Sequence, residues 1–455
     1  MELVTNLTTK SRKDYELLLP AGSVEKAKYA IAFGADAIYC GIPMFTLRGK
    51  STMSMDDLRY IIPYAHERGV KVYLAVNIFP HSFKYEQFMK DMKTMVDLKP
   101  NAFIMADPGL IDLTLENFPQ AEVHLSVQAN NVNWMSAKFW HKQGVTRVVA
   151  ARELTFKELA EIRKRVPTLE LEFFIHGSNC MAYSGRCMLS NYMNYRDSNQ
   201  GVCNNACRFE YKVYKSDNPE MMEPLQADSY KEISKGTYFV EEQMRKGELY
   251  EVSEDETGTY IFNSKDNCMA EHIEKLMKLG IESYKVEGRT KSVYYAAIVA
   301  RTYRKIFDDL LAGKKPDIDL AIRELNTTSN RGFIPGFLEG NPKDNAHDYE
   351  KKTSHQTHVF AGIVRKVISH SKIKSEILIE TRAKFEPGDE IEFITPTEIL
   401  TYKVDKIFKP VDNGEDKELT SVSGGLEFDV KLIVPFEIKD EYCVIRRKLY
   451  EKEIV

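Results

Sequence analysis

The sequence predicts an α/β fold: a (β/α)8 barrel of the TIM type with a cysteine-rich insertion after its seventh strand, then a small antiparallel β-barrel. Three observations predict it. Eight short apolar runs alternate with stretches of helical period between Glu16 and Gly288. The beat stalls once, with more than a hundred residues between the seventh run and the eighth. From about His358 onward the apolar period changes to two, as in half-buried strands.

The eight runs are Glu16–Pro20, Asp36–Cys40, Val70–Val76, Asn101–Ala106, Glu122–Val127, Thr146–Ala150, Glu170–His176 and Ser283–Gly288. Nearly continuous apolar strands suit a parallel sheet covered on both faces. Helical patterns return between them. In "SVEKAKYAIAFG", Ser23 is placed to cap a helix and Gly34 to stop it; "SMDDLRYIIPYAHERG" and "TFKELAEIRKRV" have the same two-faced spacing. No G-x-G-x-x-G follows the first strand and no P-loop is present, so a nucleotide-binding open sheet has little support. The expected boundaries are 1–345 for the barrel with its insertion over 177–280, a charged linker over 346–357, and the β tail over 358–455.

The chain has 63 Lys and Arg against 67 Asp and Glu, a net charge of −4, so composition makes no general case for a polyanion partner. The N-terminal stretch lacks the apolar run of a signal peptide. No stretch reaches the roughly 18 apolar residues of a membrane span. A cytoplasmic protein without a membrane partner is expected, where thiols stay reduced.

Against that background the cysteines stand out. Four of the 7 lie between His176 and Arg208: Cys180, Cys187, Cys203 and Cys207. Six, fifteen and three residues separate them, and Gly185 and Gly201 permit tight turns between. Four thiolates so spaced suit a structural zinc ion or an iron–sulfur cluster. Zinc knuckles usually come in two close pairs and only one is present; the wide first interval favours the bulkier cluster. Cys203 and Cys207 do not begin a radical-SAM triad, because Glu210 stands where its third cysteine belongs. Cys268 is a further thiol for the same site or a buried packing residue, and Cys40 and Cys443 read as packing residues.

In barrel enzymes the chemistry sits beyond the C-terminal ends of the strands. Polar residues at those ends are Asn77, Gln128, Arg152, His176, Glu287 and Arg289. Glu287 is an acid–base candidate, with His176 and Gln128 beside it as catalytic candidates; the plainer alternative pairs Glu287 with Arg289 or Lys285 in a rim ion pair. Proteolytic machinery is thin. "HERGV" lacks the second histidine of a zinc protease, "HQTH" lacks its glutamate, and no G-x-S-x-G elbow occurs. A Cys180–His176 dyad is conceivable but leaves three neighbouring cysteines unexplained.

The string "ELEFFIHGSNCMAYSGRCMLS" resembles the signature of the collagenase-like peptidase family U32, matching at Glu172, Phe174, Gly177, Cys180, Cys187 and Ser190, with Asn179 where an aliphatic residue is usual. "RDSNQGVCNNACR", "NSKD" and "KVEGRTKSVYYAAIVARTYR" extend the likeness over almost the whole chain. It looks nearest to the branch that hydroxylates tRNA. The resemblance implies a 4Fe–4S cluster on Cys180, Cys187 and Cys203, with Cys207 as fourth ligand and Cys268 its competitor. It implies oxygen-independent conversion of wobble uridine to 5-hydroxyuridine, with tRNA, a small dicarboxylate such as prephenate, and an electron donor as partners. Arg48 and Arg186, with Arg152 and Arg289, are then candidates for holding the dicarboxylate, and Asn77 joins them in the substrate site. A peptidase and a non-catalytic RNA-binding or cluster partner are the alternatives.

Overall fold

The computed structural model describes residues 10–47, 49, 51–180, 182–203, 206–208, 211–215, 223–224, 238–242, 249–252, 264–340, 355–411, 414–439, 442–450 and 453. Eight parallel strands form its centre: β1 (Glu16–Pro20), β2 (Ala37–Gly41), β3 (Lys71–Val76), β4 (Ala102–Met105), β5 (Val123–Leu125), β6 (Arg147–Val149), β7 (Glu170–Ser178) and β8 (Ser283–Val286). Each pairs with the next, and β8 pairs with β1 through Ser283 opposite Glu16, which closes the barrel. All five residues of β1 and of β2 are buried, as strands covered on both sides require.

Helices wrap the outside: α1 (Val24–Ala32), α2 (Met55–His66), α3 (Tyr85–Asp97), α4 (Pro108–Asn117), α5 (Trp134–Lys142) and α6 (Phe156–Arg165). Their starts follow the sequence signals. Ser23 accepts from the Lys26 amide at 3.3 Å, and Ser54 and Thr155 form capping boxes with Asp57 and Glu158. Gly34 follows α1 at φ +111°, a conformation that favours glycine.

The seventh unit is interrupted. The chain leaves the barrel at the end of β7 and enters a short helix, α7 (Leu189–Asn194). Four described strands then form an antiparallel sheet, in the order Leu249–Val252, Tyr238–Glu242, Tyr211–Lys215, Glu223–Pro224. The chain returns as Asp266–Cys268, antiparallel to the end of β7, and as helix α8 (Ile273–Leu279), whose Ile273, Leu276 and Met277 join the main core. Asn179, the departure from the family signature, sits at the foot of the excursion; its carbonyl accepts from the Ser264 hydroxyl at 3.1 Å. After β8 come α9 (Val293–Leu311) and α10 (Ile318–Leu325).

Residues 341–354, which include positions 346–354 of the expected linker, lie outside the described residues. From His358 onward eight antiparallel strands form one sheet around their own core of Ile377, Ile379, Phe393, Leu432 and Ile445, among others. This sheet packs on the outer helices. Tyr442 and Tyr64 of α2 share a hydrogen bond at 2.7 Å, and Phe360 stacks on Tyr294 of α9 at 5.4 Å. Arg446 forks onto both carboxylate oxygens of Glu324 in α10 at 2.9 and 3.0 Å. Among the described residues no helix is long and apolar enough to cross a membrane.

Candidate functional site

A cavity of about 120 Å³ opens at the C-terminal ends of the barrel strands. Its floor comes from β2, β4, β6 and β7 through Tyr39, Ile104, Val149 and Phe174, and its roof is the cysteine loop. Two glycines let that loop lie close to the barrel. Gly185 has φ +75°, and a Cβ there would stand 2.2 Å from the Gln128 carbonyl oxygen. Gly201, at φ +89°, approaches Thr46 so closely that a Cβ would meet the Thr46 carbonyl oxygen at 2.5 Å.

Hydrogen bonds tie the loop to the segments that follow β2, β3, β5 and β6. The Ser184 amide donates to Glu153 Oε1 at 2.9 Å and Asn130 Nδ2 to the Ser184 carbonyl at 3.2 Å. The Gly49 amide donates to the Gly201 carbonyl at 3.2 Å. The Gln200 side chain donates to the Phe79 carbonyl, and Lys84 Nζ donates to Gln200 Oε1 at 3.0 Å. The roof is therefore a fixed part of the mouth.

Cys180, Cys187, Cys203 and Cys207 all line this one cavity. Burial pushes the Cys187 thiol up, and the neighbouring Cys180 and Cys203 add to the shift. Four thiols lining one pocket make a donor set that fits a positively charged thiophilic centre. Among the described residues no three His, Cys, Asp or Glu side chains are already gathered as a metal site. Cys268 is elsewhere: it is buried, its sulfur is 3.6 Å from the Tyr303 hydroxyl, and burial pushes its thiol up to about 11.

Beneath the thiols the lining is charged. Arg152 Nη2 lies 3.6 Å from Glu287 Oε2, and its guanidinium stacks 3.7 Å over the Phe174 ring. Arg152 is thus an ion-pair partner of Glu287 at the rim, one that strand position alone did not single out. Arg289 is buried and donates to the Thr46 hydroxyl at 2.8 Å. Asn77 donates to the Ser126 hydroxyl at 3.3 Å and accepts from the Leu47 amide at 3.3 Å, while Gln128 follows β5 beside it. Lys285 also lines the cavity and reaches down to Glu172 Oε1 at 2.6 Å. Burial opposes ionisation of Glu172, but Lys285 and Arg147 outweigh it and hold the carboxyl below its usual value. Lys285 is a site residue that strand-end position does not mark; its signal in the sequence is a lysine between Tyr284 and Val286 inside a strand.

Asn77, Gln128, Arg152, Glu287 and Arg289 thus meet the four cysteines at one cavity. His176 does not line it. The ring is buried among Tyr295, Tyr303 and Phe333, with Nδ1 3.3 Å from the Tyr303 hydroxyl, and burial pulls its pKa down to about 4. The physical reason is a slip in register: Phe174 stands opposite Lys285 but His176 stands opposite Val286, so Ile175 is passed over and the side-chain alternation shifts. A Cys180–His176 dyad therefore gains no support from the geometry. Arg186 is exposed on the loop and outside the cavity lining. Arg48 lies outside the described residues.

Residues 22–348 match Peptidase family U32, and residues 356–446 match the Peptidase family U32 C-terminal domain. The chain is 41% identical over 451 residues to tRNA hydroxylation protein P of Haemophilus influenzae, covering 95% of this chain and 96% of that protein. It is 40% identical over 446 residues to the Escherichia coli protein of the same name, again covering 95% and 96%. A 23S rRNA 5-hydroxycytidine synthase of Escherichia coli is 30% identical over 327 residues, 72% of this chain and 44% of that protein.

Proposed function

The chain belongs to peptidase family U32, and from that premise we propose that it is an RNA-modifying enzyme, an iron–sulfur protein that hydroxylates the wobble uridine of tRNA to 5-hydroxyuridine without oxygen. The observation that carries the reading is the meeting of four cysteines and a charged floor at one cavity over the C-terminal end of the barrel. The names of three relatives, two concerned with tRNA hydroxylation and one with hydroxycytidine in rRNA, support the substrate class.

Cys180, Cys187, Cys203 and Cys207 would hold a 4Fe–4S cluster. When bound, it supplies electron exchange at the site, with a separate electron donor as partner. The chain's own residues bind and orient. Arg152 and Arg289 offer guanidinium groups to a small dicarboxylate such as prephenate, the hydroxyl source in this proposal. Glu287, beside Arg152, is placed to take up or return a proton at its carboxylate. Asn77 and Gln128 line the cavity with amide groups of the kind that pair with the edge of a pyrimidine.

Mass spectrometry of tRNA nucleosides from cells lacking the chain tests this. The 5-hydroxyuridine derivatives are expected to vanish and to return with the wild-type chain but not with Cys187→Ala. Unchanged derivatives, with loss of a defined peptide cleavage, would reverse the reading in favour of a peptidase.

A further inference from the structure

Building on the RNA-modifying reading above, we propose that the rim of the cavity is a stacking platform for a single-stranded RNA loop, gripping the nucleotides that flank a base turned inward. Three observations carry it. The first is where apolar surface is exposed. Met44, Phe83, Tyr183, Met188 and Tyr195 are exposed on three segments around the mouth, with Phe83 at 80% and Tyr195 at 89%, and Tyr85 is exposed at the start of α3. His81 stacks on Phe83 at 6.0 Å, extending the aromatic surface. Exposed apolar rings gathered in one place mark an interaction surface. The hydrogen bonds from Gln200 to Phe79 and from Lys84 to Gln200 bring the loop after β3 against the cysteine loop, so these rings share one rim.

The second observation is backbone conformation. Tyr195, which caps the C-terminus of α7, has φ +53°, and Met44 has φ +68°. Bulky residues rarely adopt the left-handed region, and strain of this kind collects at ligand-binding sites. The Tyr195 ring is too exposed for packing within the fold to account for its place.

The third is charge. The described residues of segments 42–54, 77–84 and 176–208, which supply the rim, include Lys84, Arg186, Arg196 and Arg208 against the one acid Asp197, in a chain whose net charge is −4. Basic residues interleaved with exposed aromatics suit phosphates and unstacked bases together. The depth of the site adds to this. A base held in a helix cannot present its ring to Lys285 and Glu287 on the floor, whereas one turned out of a loop can, and its neighbours then need new stacking partners.

The test is binding of an RNA hairpin with a uridine-containing loop, followed by fluorescence anisotropy, beside the same RNA with its loop annealed to a complementary strand. The wild type should prefer the open loop. Phe83→Ala with Tyr195→Ala should weaken binding to it by about tenfold or more, and Tyr195→Phe should restore most of that loss. A thermal melt matching the wild type checks that the variant is folded. Should the double variant bind as tightly as a wild type that hydroxylates RNA in cells, the platform is wrong and the hydroxylase reading stands. Should the wild type neither bind the hairpin nor alter cellular RNA, the reading fails and takes the platform with it. If the variant keeps full RNA binding but sediments at lower mass, the rim is a contact between protein chains, which also overturns the proposal.

Discussion

Lys285 Nζ stands 2.6 Å from Glu172 Oε1, an ion pair of two buried side chains inside the barrel. It is the upper end of a charged column. Arg147 Nη1 lies 3.4 Å from Glu172 Oε2 and 2.6 Å from Glu16 Oε1, and the Tyr73 hydroxyl donates to Glu16 Oε2 at 2.6 Å. The column joins β1, β3, β6, β7 and β8 through side chains as well as through the sheet, and its top residue lies in the floor of the candidate site.

Removing one partner from a buried pair leaves a desolvated charge. Glu172→Gln is therefore expected to destabilise the fold by about 3–5 kcal/mol, and adding Lys285→Met should recover part of that loss. Urea denaturation of the single and double variants checks it. A double variant no more stable than the sum of two independent losses would show that the pair does not act as a unit.

Acid should weaken the fold in two windows. His176 is held neutral, with a folded pKa of about 4 against an ordinary 6.5. Between those values the unfolded chain binds the proton and the folded chain does not, so stability falls as pH drops from about 6.5 to about 4, by at most about 3 kcal/mol. Burial opposes ionisation of Glu16, but Arg147 and Lys71 outweigh it and hold the group at about 2. Its stabilisation is complete above its ordinary pKa of 4.5 and disappears as pH falls through about 2. Thermal midpoints across this range should decline in both windows, and His176→Phe should flatten the upper one while leaving the lower.

Gly185→Ala should lift the cysteine loop off the mouth. The substitution meets both a left-handed φ of +75° and a carbonyl oxygen 2.2 Å from the new methyl group. Gly69→Ala is the control, with φ +71° and no neighbour within 4 Å. Limited proteolysis should cut Gly185→Ala within residues 179–208 faster than the wild type, and Gly69→Ala at the wild-type rate. Equal rates for all three would mean that the close approach does not hold the roof in place.

How much of this was legible in the chain follows from which interactions are local. The eight strands were readable because each is a short apolar run with its own helix return, and Ser23, Ser54 and Thr155 announce helix starts within four residues of sequence. The cysteine cluster was readable as composition, and the strand-end polar residues by the barrel rule that places chemistry at one end. The charged column was not. Glu16, Arg147, Glu172 and Lys285 are scattered over the chain and meet only when the barrel closes. His176 misled because strict alternation places it on the same face as Glu172 and Phe174; the slip beside Val286 that breaks this alternation arises between strands. The rim aromatics sit in loops without periodicity, so nothing in their spacing announced a shared surface.

The central claim is that four thiols from one excursion close around a single iron–sulfur centre. Iron and acid-labile sulfide in the anaerobically purified chain test it most directly, measured beside Ala variants at Cys180, Cys187, Cys203, Cys207 and Cys268. Both should be present in the wild type, lost from Cys187→Ala and Cys207→Ala, and retained in Cys268→Ala, whose thiol faces Tyr303 outside the cavity. Full iron and sulfide in Cys187→Ala, or zinc in place of both in the wild type, would contradict the account.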